Sequence, residues 1–161
     1  AGGAHYIFRT SWVYGRRGGN FMLTMIRLAK ERDELRVVAD QHGAPTWCRM
    51  LAERTRDVIR DTWVNPDVRH RVRKELSGVY HLTNAGVTTW HGFASAIVAT
   101  APELADRRHV KVTPIATSDY PLPAPRPANS VLDNSKFERV FGVRAQSWDD
   151  AMRACLAESA G

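Results

Sequence analysis

The sequence predicts an α/β domain built from short parallel strands. Three observations carry that prediction. Runs of β-branched and aromatic residues alternate with amphipathic stretches along the whole chain. The connections between them are rich in Gly, Pro, Asn and Asp, as turns require. Finally, 161 residues, 43% of them hydrophobic and 25% charged, are the size and composition of one ordinary globular domain or of a piece of a larger one. No repeat, low-complexity tail or linker divides the chain.

The elements follow in order. His5–Thr10 (HYIFRT) reads as a buried strand that Ser11–Tyr14 extends. Gly15–Gly19 (GRRGG) is a basic, mobile loop. Asn20 is a good N-cap for a helix over Phe21–Glu34, with Phe21, Met22, Met25, Ile26, Leu28 and Ala29 on one stripe. Leu35–Ala39 is a second strand and Asp40–Pro45 a turn-rich loop. Thr46 caps a helix reaching about Trp63, with Leu51, Thr55, Val58, Ile59 and Thr62 on one side. Val64–Ser77 contains Pro66 and the basic run Arg69–Lys74 (RHRVRK) and reads as an exposed loop. Gly78–Leu82 is a third strand, Thr83–Thr88 a loop, and Thr88 or Thr89 caps a helix to about Thr100. Val110–Ala116 is a fourth strand. Tyr120–Pro127 holds four prolines in eight residues, which excludes helix and sheet alike. Asn134–Phe141 is a short helix ended by Gly142, and Ser147 with Asp150 opens a last helix to about Glu158.

Composition narrows the function classes. Lys and Arg number 23 against 17 Asp and Glu, a net charge of +6, and 19 of the basic residues are Arg. The guanidinium fork binds phosphate in a bidentate way. Nucleic acid, an acidic membrane and a phosphorylated small molecule all suit such a chain, and composition does not choose among them. The longest nearly apolar run, Phe93–Ala101, is too short to span a bilayer. The chain begins at Ala1 with no visible secretory signal, and neither Cys48 nor Cys155 sits in a Cys-x-x-Cys motif. A reducing, cytoplasmic setting is therefore expected.

Several chemistries are missing from the sequence. Neither common phosphate-cradling glycine motif occurs, and Gly15-Arg-Arg-Gly-Gly19 has the spacing of neither. The six histidines are scattered without a His-x-x-x-His pair, so no metal site is expected. There is no Gly-x-Ser-x-Gly elbow, and no tyrosine is followed by a lysine four residues later. Three stretches nevertheless carry functional residue types. In Arg9–Gly15 (RTSWVYG), Thr10 and Ser11 stand at the C-terminal end of a strand, where open α/β sheets bind ligands. Trp12 beside them is either the wall of a sugar or base site or a core residue. Asp40–Thr46 (DQHGAPT) either joins the site or simply connects a strand to a helix. Arg126 in RPANS is flanked by proline, either preorganised to clamp a diphosphate or a solvated loop residue.

Taken together, these stretches carry a specific resemblance. RTSWVYG, the Gly19-Asn20-Phe21 opening of a helix, LRVVADQHGAPT, GVYHLTNAGVTTWHGFA, and RPANSVLDNSKFERVFG followed by SWDDAM occur in that order. They closely resemble the C-terminal half of the dTDP-4-dehydrorhamnose reductases, within the extended short-chain dehydrogenase/reductase superfamily. The resemblance runs from about His5 to Glu158. It implies an α/β C-terminal, substrate-binding part of such an enzyme, with the last strands of its Rossmann sheet. Residues 1–161 would form a single C-terminal fragment without the N-terminal dinucleotide-binding part.

The activity implied is transfer of hydride from NADPH or NADH to the C4 ketone of dTDP-4-dehydro-L-rhamnose in dTDP-rhamnose synthesis. In the family the Thr/Ser–Tyr–Lys set lies upstream, so no catalytic residue is expected in this chain, and residues 1–161 alone are expected to be inactive. On matching positions, Trp12 is expected against the sugar, and Thr10 and Ser11 on the nicotinamide side of the cofactor. Asn20 and Phe21 begin the substrate-domain helix, and Arg126 and Asn129 close over the nucleotide-sugar. Met50 stands where the family more often has Asp. The implied partner is a dTDP-sugar, with no nucleic acid and no membrane, and a homodimer is compatible with the family. A non-catalytic regulatory or scaffold subunit of the same fold is the competing reading. A nucleic-acid module, suggested by RHRVRK, lacks a reader motif and the aromatic–basic interleaving such modules use.

Overall fold

The structure, a computed structural model, describes residues 5–64, 75–121 and 123–158. In chain order the elements are β1 (Tyr6–Arg9), β2 (Val13–Tyr14), α1 (Phe21–Glu31), β3 (Glu34–Val38), β4 (His42–Gly43), β5 (Thr46–Trp47) and α2 (Cys48–Ile59). Then follow β6 (Gly78–His81), β7 (Thr88–Thr89), α3 (Trp90–Thr100), β8 (Lys111–Ile115), α4 (Ser135–Phe141) and α5 (Trp148–Ala157). Among the described residues the strands pair two by two. β1 with β6, β2 with β5 and β3 with β8 are parallel, while β4 with β7 is antiparallel. The α/β class with short parallel elements is thus observed. Helix α3 lies at the centre, against α1, β3, β8 and α5, and buries Phe93, Ala94, Ile97 and Val98.

Where local signals are strong, the elements form as the sequence predicts. The Asn20 side chain accepts from Leu23 N at 3.2 Å, Thr89 from Gly92 N at 3.0 Å, and Ser147 from Asp150 N at 3.1 Å, each satisfying a free amide at a helix start. Gly142 closes α4 in the left-handed conformation, φ +67°. Strand β3 alternates, with Leu35 and Val37 buried between exposed Glu34 and Arg36.

Four expectations are corrected. First, the strand from His5 is not extended through Tyr14. Trp12 adopts φ +49°, which turns the chain out of the β1–β6 pair and into a pair with β5. Nor is β1 buried on both faces. Tyr6 and Phe8 pack on Tyr80, Phe137 and Phe141, but Ile7 and its register partner Val79 are 50% and 42% exposed.

Second, α1 stops at Glu31 and Glu34 belongs to β3. The Arg107 guanidinium takes the Ala29 and Arg32 carbonyls at 3.1 and 3.0 Å and the Asp33 carboxylate at 2.7 Å, satisfying the end of the helix from outside. Third, Thr46 does not cap α2. It lies in β5 with its hydroxyl on the Ala44 carbonyl, and Trp47 precedes the helix with its amide bound to Asn84. Fourth, α2 buries Met50 and Val58, then widens into a π-helical turn over Arg60–Val64 that buries Thr62, while Ile59 is 47% exposed.

A 3₁₀ turn over Pro102–Arg107, which buries Leu104, is an element the pattern did not signal. The basic run Arg69–Lys74, with most of the loop expected over Val64–Ser77, lies outside the described residues. Among the described residues no helix is long and apolar enough to cross a membrane.

Candidate functional site

A cavity of about 920 Å³ opens between α1, β3 and the proline-rich crossing. Its floor is apolar. Phe21, Met25 and Leu28 project from α1, and Leu35 and Val37 from β3. Its rim comes from the proline-rich crossing, through Tyr120, Pro121, Ala124, Pro125, Arg126 and Pro127. Its wall is a pair of indoles, Trp12 and Trp90.

The two indoles are stacked with ring centroids 3.6 Å apart and planes 14° from parallel. Phe21 leans on Trp90 at 4.6 Å. A ring at 3.6 Å covers one face of Trp12. The other face rests on Gly43, where a Cβ would stand 2.5–2.9 Å from ring atoms Cε2, Cζ2 and Cδ2. Among the described residues Trp12 is the only non-glycine residue with positive φ. For a bulky residue that conformation costs of the order of 1–3 kcal/mol and persists only where its surroundings enforce it. Here the enforcement is the stack, the Gly43 backing and the bond from Thr46 N to the Trp12 carbonyl at 3.0 Å.

Beside the wall runs a chain of polar groups. Trp90 Nε1 donates to Gln41 Oε1 at 3.2 Å, and Gln41 Nε2 donates to Thr117 Oγ1 at 3.0 Å. The Thr117 hydroxyl donates to Asp40 at 2.6 Å, and its backbone amide reaches the same carboxylate at 3.0 Å. Those bonds from Thr117 hold the Asp40 carboxyl below the usual carboxylate range. Gln41 itself is 7% exposed.

Three arginines line the same space: Arg32, Arg36 and Arg126. Other arginines are paired, Arg107 with Asp33 and Arg16 with Glu103. Arg32, Arg36 and Arg126 have no ion-pair partner among the described residues. A cavity with an apolar floor, an aromatic wall and unneutralised guanidiniums suits a ligand that is part ring and part polyanion.

Of the residues expected at the site, the structure brings Trp12, Phe21 and Arg126 together. Asn20 caps α1 and ties the loop before it, its Nδ2 donating to the Gly15 carbonyl at 2.9 Å. Asn129 does not line the cavity. Its Oδ1 accepts from Val131 N at 2.9 Å, and its loop is bound on both sides to His42. Thr10 and Ser11 lie beyond the lining at the C-terminal end of β1, with the Ser11 hydroxyl buried and unpartnered. Met50 is a core residue, 4% exposed, so an Asp there would have to be buried.

Trp90, Thr117, Arg32 and Arg36 are site residues the sequence reading missed. Gln41 lies in Asp40–Thr46, the stretch left open between site and connection, and it lines the cavity. No group of three or more His, Cys, Asp or Glu side chains gathers among the described residues. Burial pushes the Tyr14 phenol above its ordinary range and the Cys155 thiol up to about 12, so neither offers a proton or nucleophile near neutral pH.

Comparison with known proteins follows the same line. The family profile described as "RmlD substrate binding domain" matches residues 1–160. The chain is 47% identical over 161 residues to the dTDP-4-dehydrorhamnose reductase of Burkholderia thailandensis, covering 98% of this chain and 52% of that protein. It superposes on the dTDP-4-dehydrorhamnose reductase of Clostridium acetobutylicum with TM-score 0.78 at 36% identity, over 94% of this chain and 47% of that one. On the Bacillus anthracis dTDP-4-dehydrorhamnose reductase in complex with NADP, the TM-score is 0.76 at 33% identity, over 96% and 48%. The chain therefore spans about half the length of the curated relatives it matches. Its α/β architecture is shared with extended short-chain dehydrogenase/reductases. The chain belongs to the RmlD substrate binding domain family.

Proposed function

We propose that residues 1–161 are the substrate-binding part of a dTDP-4-dehydrorhamnose reductase, and that the cavity takes dTDP-4-dehydro-L-rhamnose. The observation that carries this reading is the convergence of Arg32, Arg36 and Arg126, without ion-pair partners among the described residues, on a cavity walled by Trp12 and Trp90. The diphosphate meets the guanidiniums, and the deoxysugar lies against the edge of the Trp12 indole that lines the cavity, its two faces being taken by Trp90 and Gly43. Ser11, with a buried hydroxyl lacking a partner at the strand end, and Thr10 beside it are this chain's contribution to the nicotinamide side.

NADPH or NADH supplies the hydride; the sequence carries neither a phosphate-cradling glycine motif nor a Tyr-x-x-x-Lys pair to bind the dinucleotide or move the proton. What this chain's residues do is bind and orient. The arginines fix the diphosphate end, the edge of the indole pair bounds the sugar, and the proline rim keeps bulk water from the ketone. Parallel sheets are normally covered on both faces, and the exposed Ile7–Val79 face of β1 and β6 fits strands belonging to a larger sheet.

The test is calorimetric titration of the full-length protein with dTDP, alongside NADPH oxidation with dTDP-4-dehydro-L-rhamnose. Arg126→Ala and Arg36→Ala are each expected to weaken dTDP binding by about tenfold or more, the loss expected of one charge-assisted contact of about 1.5–3 kcal/mol. A full-length protein that binds no dTDP would overturn the proposal.

A further inference from the structure

The indole wall is held by a polar chain whose every donor and acceptor is determined. Indole Nε1 can only donate, and ionised Asp40 can only accept. Between these two ends Thr117 must donate to Asp40 and accept from the Gln41 amide nitrogen, which leaves the Gln41 carbonyl oxygen for Trp90. The order Trp90, Gln41, Thr117, Asp40 therefore has a single polarity, and an amide flip at Gln41 would break two bonds at once. Stacking by itself leaves an indole more freedom in its plane than a directional hydrogen bond does. A bond at Nε1 removes that freedom. Gln41 supplies it from 49 residues away, and Thr117, 76 residues from Gln41, orients the amide.

We infer that Gln41 is a positioning residue of the site. It fixes the plane and offset of Trp90, and through the 3.6 Å stack it fixes Trp12, the residue proposed to face the sugar. Thr117 and Asp40 act one step further back by fixing the Gln41 amide. Gln41 touches neither the reacting atoms nor the cofactor in this account; it sets where the wall stands. The kinetic part of the inference rests on the function proposed above. The structural part, that Gln41 orients the indole pair, does not.

The experiment uses the full-length protein with Gln41→Leu, Thr117→Val and Thr117→Ser, and with Trp90→Phe as the reference for a broken pair. Two stacked indoles whose transition moments are rotated relative to one another couple and give a paired positive and negative circular dichroism signal, which Trp90→Phe abolishes. Gln41→Leu and Thr117→Val are expected to lose most of that signal, and Thr117→Ser, which keeps the hydroxyl, to retain it. With dTDP-4-dehydro-L-rhamnose and NADPH, Gln41→Leu is expected to lower kcat by roughly tenfold to a hundredfold while KM for the sugar changes less than about threefold, the mark of orientation lost after binding. A Gln41→Leu protein with a lower Tm but unchanged kcat and unchanged coupled signal overturns the inference, because a merely structural residue would behave so. If Gln41→Leu fails to fold, the Thr117 pair decides. Loss of the signal in both variants, or in neither, overturns the inference. If the wild-type protein turns over no dTDP-4-dehydro sugar, the proposed function fails, while the dichroism of the same variants still decides whether Gln41 orients the pair.

Discussion

Replacing Gly43 by Ala is the smallest change that should disturb the site. The added Cβ would stand 2.5, 2.7 and 2.9 Å from Cε2, Cζ2 and Cδ2 of Trp12, whereas carbon atoms rest at about 3.5–4.0 Å. Something must move by about 1 Å. Gly43 is held in β4 against Thr88, and Trp90 lies 3.6 Å behind the indole, so neither neighbour yields easily. The ring is either compressed, at about 1–3 kcal/mol of overpacking, or swings into the cavity and leaves Trp90. Either way it departs from its position by about 1 Å, a displacement that can cost about a hundredfold in rate, or about 2.7 kcal/mol. The assay is kcat/KM of the full-length protein for dTDP-4-dehydro-L-rhamnose, with the melting temperature and the coupled dichroism signal. Gly19→Ala is the control, since no atom lies within 4 Å of the Cβ it would add. A Gly43→Ala protein with wild-type kinetics and wild-type dichroism would refute both the backing contact and the importance of the indole plane.

Three further outcomes are expected. Trp12→Ala should lower kcat/KM by roughly tenfold to a thousandfold, and also lower the melting temperature because Trp90 loses its stacked partner; a destabilised but fully active enzyme would leave Arg126 as the better candidate for substrate contact. Residues 1–161 expressed alone should show no NADPH oxidation above the no-enzyme rate, because the chain has no dinucleotide loop and no Tyr-x-x-x-Lys pair; turnover by that chain contradicts this. Asp40, Asp57 and Asp133 are held below their ordinary 3.8 by hydrogen bonds from Thr117, Arg56 and Ser135 respectively. Because their folded values are depressed, the stability they contribute is present above pH 3.8 and lost as the pH falls through the lower folded values. A melting temperature that stays constant from about pH 6 to about pH 3 would contradict that sign.

Features whose cause lies within a few residues were legible from residue order alone. Asn20, Thr89 and Ser147 satisfy amides three positions on, Gly142 takes a conformation other residues resist, and the alternation Glu34-Leu35-Arg36-Val37 sorts a strand into two faces. Each is a short-range steric or hydrogen-bonding preference, written in residue type and spacing. The order of the quoted stretches likewise pointed to the family before any coordinates.

The rest depends on contacts between segments far apart in the chain. Thr46 has the chemistry of a helix cap, yet it lies in a two-residue strand because β2, thirty-odd positions earlier in the chain, pairs with it. Trp12 reads as the end of a strand, and its positive φ comes from neighbours at Gly43, Thr46 and Trp90. Gln41 and Trp90 meet across 49 residues, and Arg126, which follows β8 in the chain, lines the same cavity as Arg32 and Arg36. No local propensity encodes these encounters. They are fixed by which apolar faces bury one another, so the site became visible only when α1, β3 and the proline crossing were brought around one cavity.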